Sequence, residues 1–346
     1  MTDTEKTDIL SLTLPELREK IISFGFPAYR AKQIFDWMYK GKTFRDMTNL
    51  PAGLRTFLEE NTSLSLPVID KKLVSAVDGT VKYLLRLSDG NYIESVLMKY
   101  KYGFTICVSS QCGCRMGCRF CASTIGGKVR DLTPSEILGQ IITVSADCNN
   151  RISHVVMMGI GEPLDNYDNV ISFLKLVNLP DGLNIGYRNI SLSTCGIVPN
   201  ILRLASEKLP ITLSVSLHAS DDQTRSAIMP VNNKYPIPEL LTACNSYQTE
   251  TGRRISFEYT LIFGKNDSRA DAERLAAVLK KYMKKTVHVN LIPLNPVSER
   301  EFKGSSRTSA EAFCRILVNN GVNATVRRTL GPDINASCGQ LRRSVK

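Results

Sequence analysis

Three cysteines in one short loop are the part of this sequence best suited to metal or redox chemistry. Cys114, Cys118 and Cys121 form the pattern C-x3-C-x2-C within SSQCGCRMGCRFCAST, residues 109–124. Disulfide frameworks, zinc sites and iron–sulfur clusters all use closely spaced cysteines. The rest of the sequence has to distinguish among these three uses.

The start of the chain argues against structural disulfides. MTDTEKTDIL has no basic segment followed by an apolar one, so no secretory signal is predicted. No run approaches the roughly 18 apolar residues of a membrane span. We therefore expect a cytoplasmic protein without a membrane segment, in which the ten cysteines serve metal binding or catalysis.

A structural zinc site is the weaker of the two remaining uses. It would take a fourth ligand, usually from a second pair of cysteines or histidines. Histidine occurs only at His154, His218 and His288, with no pair at zinc spacing, and Cys112 is crowded against Cys114. A four-iron cluster normally takes four thiolates, so three in one loop leave one iron open to a small ligand. On these residues alone zinc stays open.

Strand and helix patterns alternate from about residue 100 and predict the elements that position the loop. Six strand-like runs, and a later run ATVRR, alternate with helices such as TPSEILGQIITVSA, in which Thr133 and Glu136 form a capping box. This order predicts a parallel α/β sheet, either open or a six-unit partial barrel, with its working face at the carboxyl ends of the strands. The six runs are FTICVS, HVVMMG, NISLST, ITLSVSL, ISFEYTLI and VHVNLI.

Polar groups stand where several of these strands end. Gly161 and Glu162 follow the second strand, Ser193 ends the third, His218 follows the fourth and Asn295 the sixth. Because the carboxyl ends of parallel strands share one edge, we expect these groups to converge on one ligand. A satisfied core histidine and a strand-end hydroxyl are the ordinary alternatives for His218 and Ser193.

The first 70 residues have a different pattern. Three helices are predicted at TLPELREKIISFG, PAYRAKQIFDWMYKGK and LPAGLRTFLEE, and then a hairpin in which SDG separates VKYLLRL from NYIESVLM. We predict a helical accessory domain over 1–70, a linking β-hairpin over 71–100 and the α/β domain over 101–346. The net charge of +11 favours a nucleic acid partner, and the basic residues among the helical aromatics suit RNA contact.

The cysteine spacing after a first strand resembles the radical S-adenosylmethionine (SAM) superfamily. The resemblance implies a partial (βα)6 TIM-like barrel, with a [4Fe-4S] cluster on Cys114, Cys118 and Cys121. It also implies that SAM binds at the open iron and yields a 5′-deoxyadenosyl radical. Longer stretches are similar, over nearly the whole chain, to the RlmN family of RNA methyltransferases, which act on C2 of adenosine in 23S rRNA and tRNA. These stretches are CVSSQCGCRMGCRFCASTIGG, GIGEPLDNYDNV, GPDINASCGQL and YRAKQIFDWMY.

The RlmN resemblance implies roles for three further residues. Cys338 accepts a methyl group from one SAM and, after the radical from a second SAM removes a hydrogen, carries a methylene radical to C2. Cys107 then attacks Cys338, and the transient disulfide frees the methylated base. Glu94 matches the family's proton acceptor. The resemblance also implies an external reductase such as flavodoxin or ferredoxin, and we expect a monomer.

The resemblance further implies a set of SAM contacts. They are Gly161, Glu162, Ser193, Ser216, Leu217, His218 and Asn295. Two positions depart from the family pattern, since Cys112 stands where an apolar residue is usual and Cys195 where serine is usual. No role is predicted for Cys112, Cys148, Cys195, Cys244 or Cys314.

Two other functions stay open on the sequence. A Cfr-type enzyme, which methylates C8 of the same kind of adenosine, shares the cysteine loop and both working cysteines, although GEPLDNYDNV and ASTIGG look more like RlmN. A non-enzymatic RNA-binding module with zinc or a cluster would need neither SAM nor Cys338.

Overall fold

The computed structural model describes residues 6–342. Ten of the strands in this range form one mixed sheet, and the other four form two small sheets. The strands, in chain order, are β1 (Thr7–Asp8), β2 (Thr62–Ser63), β3 (Val68–Val74), β4 (Val81–Arg86), β5 (Tyr92–Tyr100), β6 (Gly103–Cys107), β7 (Gln111–Gly113), β8 (Lys128–Asp131), β9 (Ile152–Met157), β10 (Ile190–Thr194), β11 (Thr212–Ser216), β12 (Ile255–Leu261), β13 (His288–Pro293) and β14 (Asn323–Val326). The small sheets pair β1 with β2 and β7 with β8. The helices are α1 (Leu14–Ser23), α2 (Arg30–Met38), α3 (Ala52–Asn61), α4 (Pro134–Cys148), α5 (Tyr167–Val177), α6 (Val198–Ser206), α7 (Asp222–Ile228), α8 (Ile237–Thr251), α9 (Arg269–Tyr282) and α10 (Arg307–Asn319).

The parallel part of the large sheet confirms the predicted α/β architecture. β6, β9, β10, β11, β12, β13 and β14 lie side by side in chain order, and each pairs in parallel with the next. At least one helix lies between each pair of successive strands. Each of the six predicted strand runs, and the late ATVRR run, coincides with one of these strands.

Apolar burial explains why these segments form the centre of the sheet. Leu192, Leu213, Phe257 and Leu291, one from each of four neighbouring strands, are completely buried. Strands covered on both faces need such residues on both faces, which is why they appear in the sequence as nearly continuous apolar runs. Burial of one such side chain contributes about 1.5–3 kcal/mol.

The predicted hairpin forms and continues the large sheet. β4 and β5 pair antiparallel around a turn at Gly90, where φ is +83°. β5 in turn pairs with β6, and β3 adds a further antiparallel strand beyond β4. The hairpin therefore brings the side chains of β4 and β5 beside the first parallel strand. The domain boundaries at 70 and 100 stay a prediction.

The three predicted amino-terminal helices are α1, α2 and α3. Leu17, Ile21, Ile34 and Phe35 from α1 and α2 are completely buried. Ser135 at the start of α4 donates to Asp8 at 2.5 Å and so ties this region to the sheet. Over residues 6–342, none of the helices has the length and apolar character needed to cross a membrane.

Candidate active site

The carboxyl ends of the parallel strands surround an open cavity. Its lining includes most of the residues predicted from the sequence: Cys114, Cys118, Cys121, Gly161, Glu162, Ser193, Ser216, His218, Asn295 and Cys338. Leu217 is completely buried behind it. Cys107 and Glu94 are buried beside the Cys338 segment, residues 331–342. The expected convergence of strand-end groups is therefore present in the fold.

The three loop cysteines share this cavity. Burial raises the pKa of Cys118 far above its usual value, and the nearby Cys121 and Cys114 raise it further. Burial also raises the pKa of Cys114, to about 12. All ten cysteines are among the described residues and none forms a disulfide. Within 6–342, no three His, Cys, Asp or Glu side chains lie close enough to hold a single metal ion.

Backbone contacts fix the shape of the cysteine loop. Gly113, at its start, has φ +80°, and a side chain there would overlap Gly127, whose carbonyl oxygen is 1.9 Å from the Cβ position. Thr124 donates to the carbonyl of Cys121 at 3.0 Å. Arg300 donates to the same carbonyl at 3.3 Å. The loop is thus held by its own turns and by the segment after β13.

Glu162 joins the ends of two parallel strands. One carboxylate oxygen accepts from the backbone of Leu164 at 3.0 Å, and the other accepts from the backbone of Cys195 at 2.7 Å. Its own N–H donates to Gln111 at 2.9 Å. Burial raises the pKa of Glu162, an effect that the Cys195 N–H opposes. The carboxylate is therefore a structural bridge that also faces the cavity, with lone pairs left for a ligand.

His218 is held in a strained and fully defined orientation. Its φ is +55°, a left-handed conformation that costs about 1–2 kcal/mol for a residue with a side chain. Nδ1 accepts from the backbone of Thr260 at 2.8 Å, so the neutral ring carries its proton on Nε2. Burial lowers its pKa to about 3. The ring of Phe120, from the cysteine loop, packs edge-on against it.

Hydrogen bonds from three regions hold the Cys338 segment at the cavity. Asn295, after β13, donates to the Cys338 carbonyl at 3.0 Å. In the cysteine loop, Ala122 donates to Gly339 at 2.8 Å and Ser123 donates to Leu341 at 2.6 Å. Asp333 accepts from the turn between β3 and β4. Cys338 is thereby placed next to the loop of the three cysteines.

Cys107 and Cys338 lie within electrostatic reach of each other. Burial raises the pKa of Cys107 to about 12, and the Cys338 thiolate raises it further. Cys107 also shares one apolar cluster with Ala336 and Leu341 of the Cys338 segment. The terminal segment therefore packs beside the end of β6, although the two cysteines are far apart in the sequence.

Comparisons with known proteins agree with this geometry. Residues 108–276 match the model of the radical SAM superfamily, and residues 7–64 match that of the ribosomal RNA large subunit methyltransferase N-terminal domain. A "probable dual-specificity RNA methyltransferase RlmN" from Clostridium botulinum is 54% identical over 97% of this chain and 96% of its own length. Its counterpart from Alkaliphilus oremlandii is 52% identical over 98% of both. The chain belongs to the RlmN family.

A solved structure supports the same assignment. The radical SAM methyltransferase from Sphaerobacter thermophilus superposes with a TM-score of 0.92 at 43% identity, covering 97% of this chain and 99% of its own. This RlmN-family protein is accordingly an enzyme, a SAM-dependent methyltransferase with the radical SAM fold. Membership of the radical SAM superfamily implies a [4Fe-4S] cluster and SAM as cofactors.

Three cations near this RlmN-family site, one fully buried and two partly buried, escaped the sequence analysis. Arg225, on α7, is completely buried and donates to the carbonyls of Leu217 at 3.0 Å and Cys195 at 2.7 Å. Arg327, after β14, lies 3.7 Å from Glu258. The third, Lys82 on β4, lies 3.2 Å from Glu94. No local pattern indicates them, since lysine and arginine are usually exposed and their partners are distant in sequence.

The cysteines without a predicted role differ in their surroundings. Cys195 lines the cavity, and burial raises its pKa well above the usual value. Cys112, in β7, and Cys244, in α8, are completely buried. Cys148 and Cys314 are half-buried, and each thiol donates to a backbone carbonyl.

Proposed function

We propose that this RlmN-family enzyme methylates C2 of adenosine in 23S rRNA and in tRNA. Relatives at more than 50% identity are named as dual-specificity RNA methyltransferases, which supports an RNA substrate of two kinds. The observation that carries the proposal is the meeting of Cys338, the cysteine loop and the strand-end groups in one cavity.

The donor set fits a [4Fe-4S] cluster held by Cys114, Cys118 and Cys121. All three residues line the same cavity, and Cys121 and Cys114 lie near enough to Cys118 to raise its pKa. Among the described residues, no three His, Cys, Asp or Glu side chains form a compact site for one ion. When bound, the cluster and SAM supply a 5′-deoxyadenosyl radical. We assign the SAM contacts to Gly161, Glu162 and the other strand-end groups: Ser193, Ser216, Leu217, His218 and Asn295.

Cys338 is the proposed methyl carrier. Its thiolate would attack the methyl carbon of one SAM, with S-adenosylhomocysteine as the leaving group. Removal of a hydrogen atom from that S-methyl group by the radical from a second SAM would leave a methylene radical, which adds to C2. This route suits C2 because the carbon lies between two ring nitrogens and is too electron-poor to attack a sulfonium. The ring then loses its C2 proton to Glu94 and its unpaired electron, which the cluster, once bound, would accept. Attack by the Cys107 thiolate on the sulfur of Cys338 breaks the bond between that sulfur and the methylene carbon and leaves a disulfide. The freed methylene carbon takes up a proton and becomes the methyl group of the base.

RNA and a reductase are the proposed partners. The net charge of +11 supports binding to a polyanion, which predicts an affinity that falls steeply as salt rises. An external reductase of the flavodoxin or ferredoxin type would supply electrons to a cytoplasmic enzyme. A salt-independent affinity for ribosomal RNA would contradict the electrostatic part of this proposal.

Mass spectrometry of modified nucleosides tests the proposal directly. The enzyme, reconstituted with iron and sulfide without oxygen, is incubated with SAM, a reductant and unmodified ribosomal RNA or tRNA. We expect 2-methyladenosine in the digests of both RNAs. Formation of 8-methyladenosine would instead indicate a Cfr-type enzyme, and no methylated adenosine would indicate that the chain does not methylate these RNAs.

A further inference from the structure

A buried ion pair joins β4 to the carboxylate that is proposed to accept the C2 proton. The ammonium of Lys82 lies 3.2 Å from Oε1 of Glu94, and the two side chains are only 12% and 4% exposed. Lys82 lies opposite Val96, and Glu94 lies opposite Leu84, so the two charges are diagonal neighbours on adjacent strands. The pairing of β4 with β5 therefore sets their separation.

The same ion pair touches the segment that carries Cys338. Lys82 also donates to the backbone carbonyl of Asn335 at 3.2 Å. The second carboxylate oxygen of Glu94 accepts from the backbone N–H of Arg342 at 3.0 Å. Asn335 and Arg342 lie on either side of Cys338 in the chain. The proposed proton acceptor and the proposed methyl carrier are thus held by one small group of contacts.

Burial makes this arrangement sensitive to the loss of either charge. A carboxylate removed from water without a partner is strongly disfavoured, and removing one member of a buried ion pair leaves such an unpaired charge. Without the Lys82 ammonium, an orientation of the Glu94 carboxylate toward solvent becomes more favourable, and the carboxylate is free to move with the terminal segment. A proton acceptor works only within hydrogen-bonding reach of its proton, so a small displacement would slow the transfer.

We propose that Lys82 is a positioning residue that holds Glu94 in place to accept the proton from C2 of the adenine. The inference rests on the proposed function. In the step concerned, the C2–H bond breaks, its proton goes to a Glu94 oxygen and its electron pair stays in the ring. Methyl transfer from SAM to Cys338 needs no such acceptor. Lys82 should therefore matter after the base is attacked and not before.

The test separates those two stages in the cluster-containing enzyme. Lys82→Met, Lys82→Arg and the wild type are compared, with Lys71→Met on the exposed side of the neighbouring strand β3 as the matched control. The first measurement is transfer of labelled methyl from SAM to Cys338 without RNA. The second is the rate of methylation of an RNA whose target adenine carries hydrogen or deuterium at C2.

We expect Lys82→Met to methylate Cys338 at nearly the wild-type rate and to lose RNA turnover by about ten-fold or more, since a general base contributes about 10²–10⁴-fold. The deuterium isotope effect should be larger in Lys82→Met than in wild type, because proton loss becomes slower. Lys82→Arg should recover part of the rate, and Lys71→Met should match wild type.

Other outcomes overturn the assignment. An unchanged isotope effect and turnover in Lys82→Met would exclude a positioning role, and equal losses of Cys338 methylation and RNA turnover would indicate a purely structural one. If Lys82→Met does not fold, Lys82→Gln is measured in the same way. A wild type that makes no 2-methyladenosine would refute the proposed function itself. If the wild type is active and Lys82→Met has the same isotope effect as the wild type, only the Lys82 assignment is refuted.

Discussion

The two thiols of the proposed mechanism are held in opposite ways. Cys107 ends β6, in register with Val96 on one side and Val156 on the other, so the backbone of the sheet fixes it. Cys338 lies outside the sheet, and its segment is held by hydrogen bonds from several separate regions and by the apolar contacts of Ala336 and Leu341. One thiol is thus fixed by strand pairing, and we predict that the other lies on a segment that can be released without unfolding the sheet.

This contrast matches what each thiol would have to do. Cys107 attacks once, along one direction, which a fixed strand end provides. Cys338 would meet SAM, a base and finally Cys107, so it has to present its sulfur to three partners. Substitutions at the β6 end and in the Cys338 segment should therefore have different effects.

The largest effect is expected from removing the two thiols in turn. Cys338→Ala should abolish transfer of labelled methyl from SAM to the protein, because no thiolate remains to accept it. Cys107→Ala should accept methyl normally and attack RNA, and then stall as a covalent protein–RNA adduct visible in a denaturing gel. Labelling that survives in Cys338→Ala, or normal turnover of Cys107→Ala, would contradict the respective role.

The strand ends, the fixed part of the site, depend on Arg225, which donates to the carbonyls of Leu217 after β11 and Cys195 after β10. Arg225→Met should destabilise the fold by several kcal/mol, since each buried carbonyl left without a donor costs about 1–3 kcal/mol and Arg225 serves at least two. Chemical denaturation measures this. Arg203→Met on α6, where the arginine side chain is 54% exposed, is the control and should cost far less. Equal losses in the two variants would mean that Arg225 does not hold the strand ends.

The same contrast explains what sequence alone could predict. Buried parallel strands are recognisable in the sequence as apolar runs. The α4 capping box at Thr133 and Glu136 is a local pattern, so the start of that helix was also predictable. β3 was missed because three successive charged residues interrupt the apolar residues of VIDKKLV, which lies exposed at an edge of the sheet. The position of the Cys338 segment depends on contacts with remote residues such as Asn295. Only family resemblance pointed to Cys338 itself.

The electrostatics around Cys338 predict a smaller effect, in its pH dependence. Burial raises the pKa of Cys338, Arg327 lowers it and Glu258 raises it. Arg327→Gln should therefore raise that pKa, leave less thiolate at neutral pH and move the reactivity profile to higher pH. Glu258→Gln should move the profile in the opposite direction. Below the pKa, the thiolate fraction changes about tenfold when the profile moves by one pH unit, and the alkylation rate follows it.

Alkylation of Cys338 by iodoacetamide, followed across pH by peptide mass spectrometry, measures these changes in the cluster-containing enzyme. The other ionisable groups facing Cys338 are Cys107, Tyr100 and Cys121, and all three are unchanged in these variants. The exposed Arg328 provides the control Arg328→Gln. Movement of the profile in the same direction in Arg327→Gln and Glu258→Gln would contradict the electrostatic account.

The smallest effect should be confined to the Cys338 segment. Asp333 accepts from Ser75 Oγ at 2.6 Å and from the Ala76 N–H at 2.9 Å, which attaches the segment to the turn after β3. Asp333→Ala should speed amide hydrogen exchange across 334–341 and leave the melting temperature almost unchanged, because the parallel sheet is untouched. Exposed Asp181→Ala should change neither. If exchange in β6 around Cys107 rose as much as in the segment, the two thiols would share one cooperative unit, and the separation between fixed strand end and releasable segment would not hold.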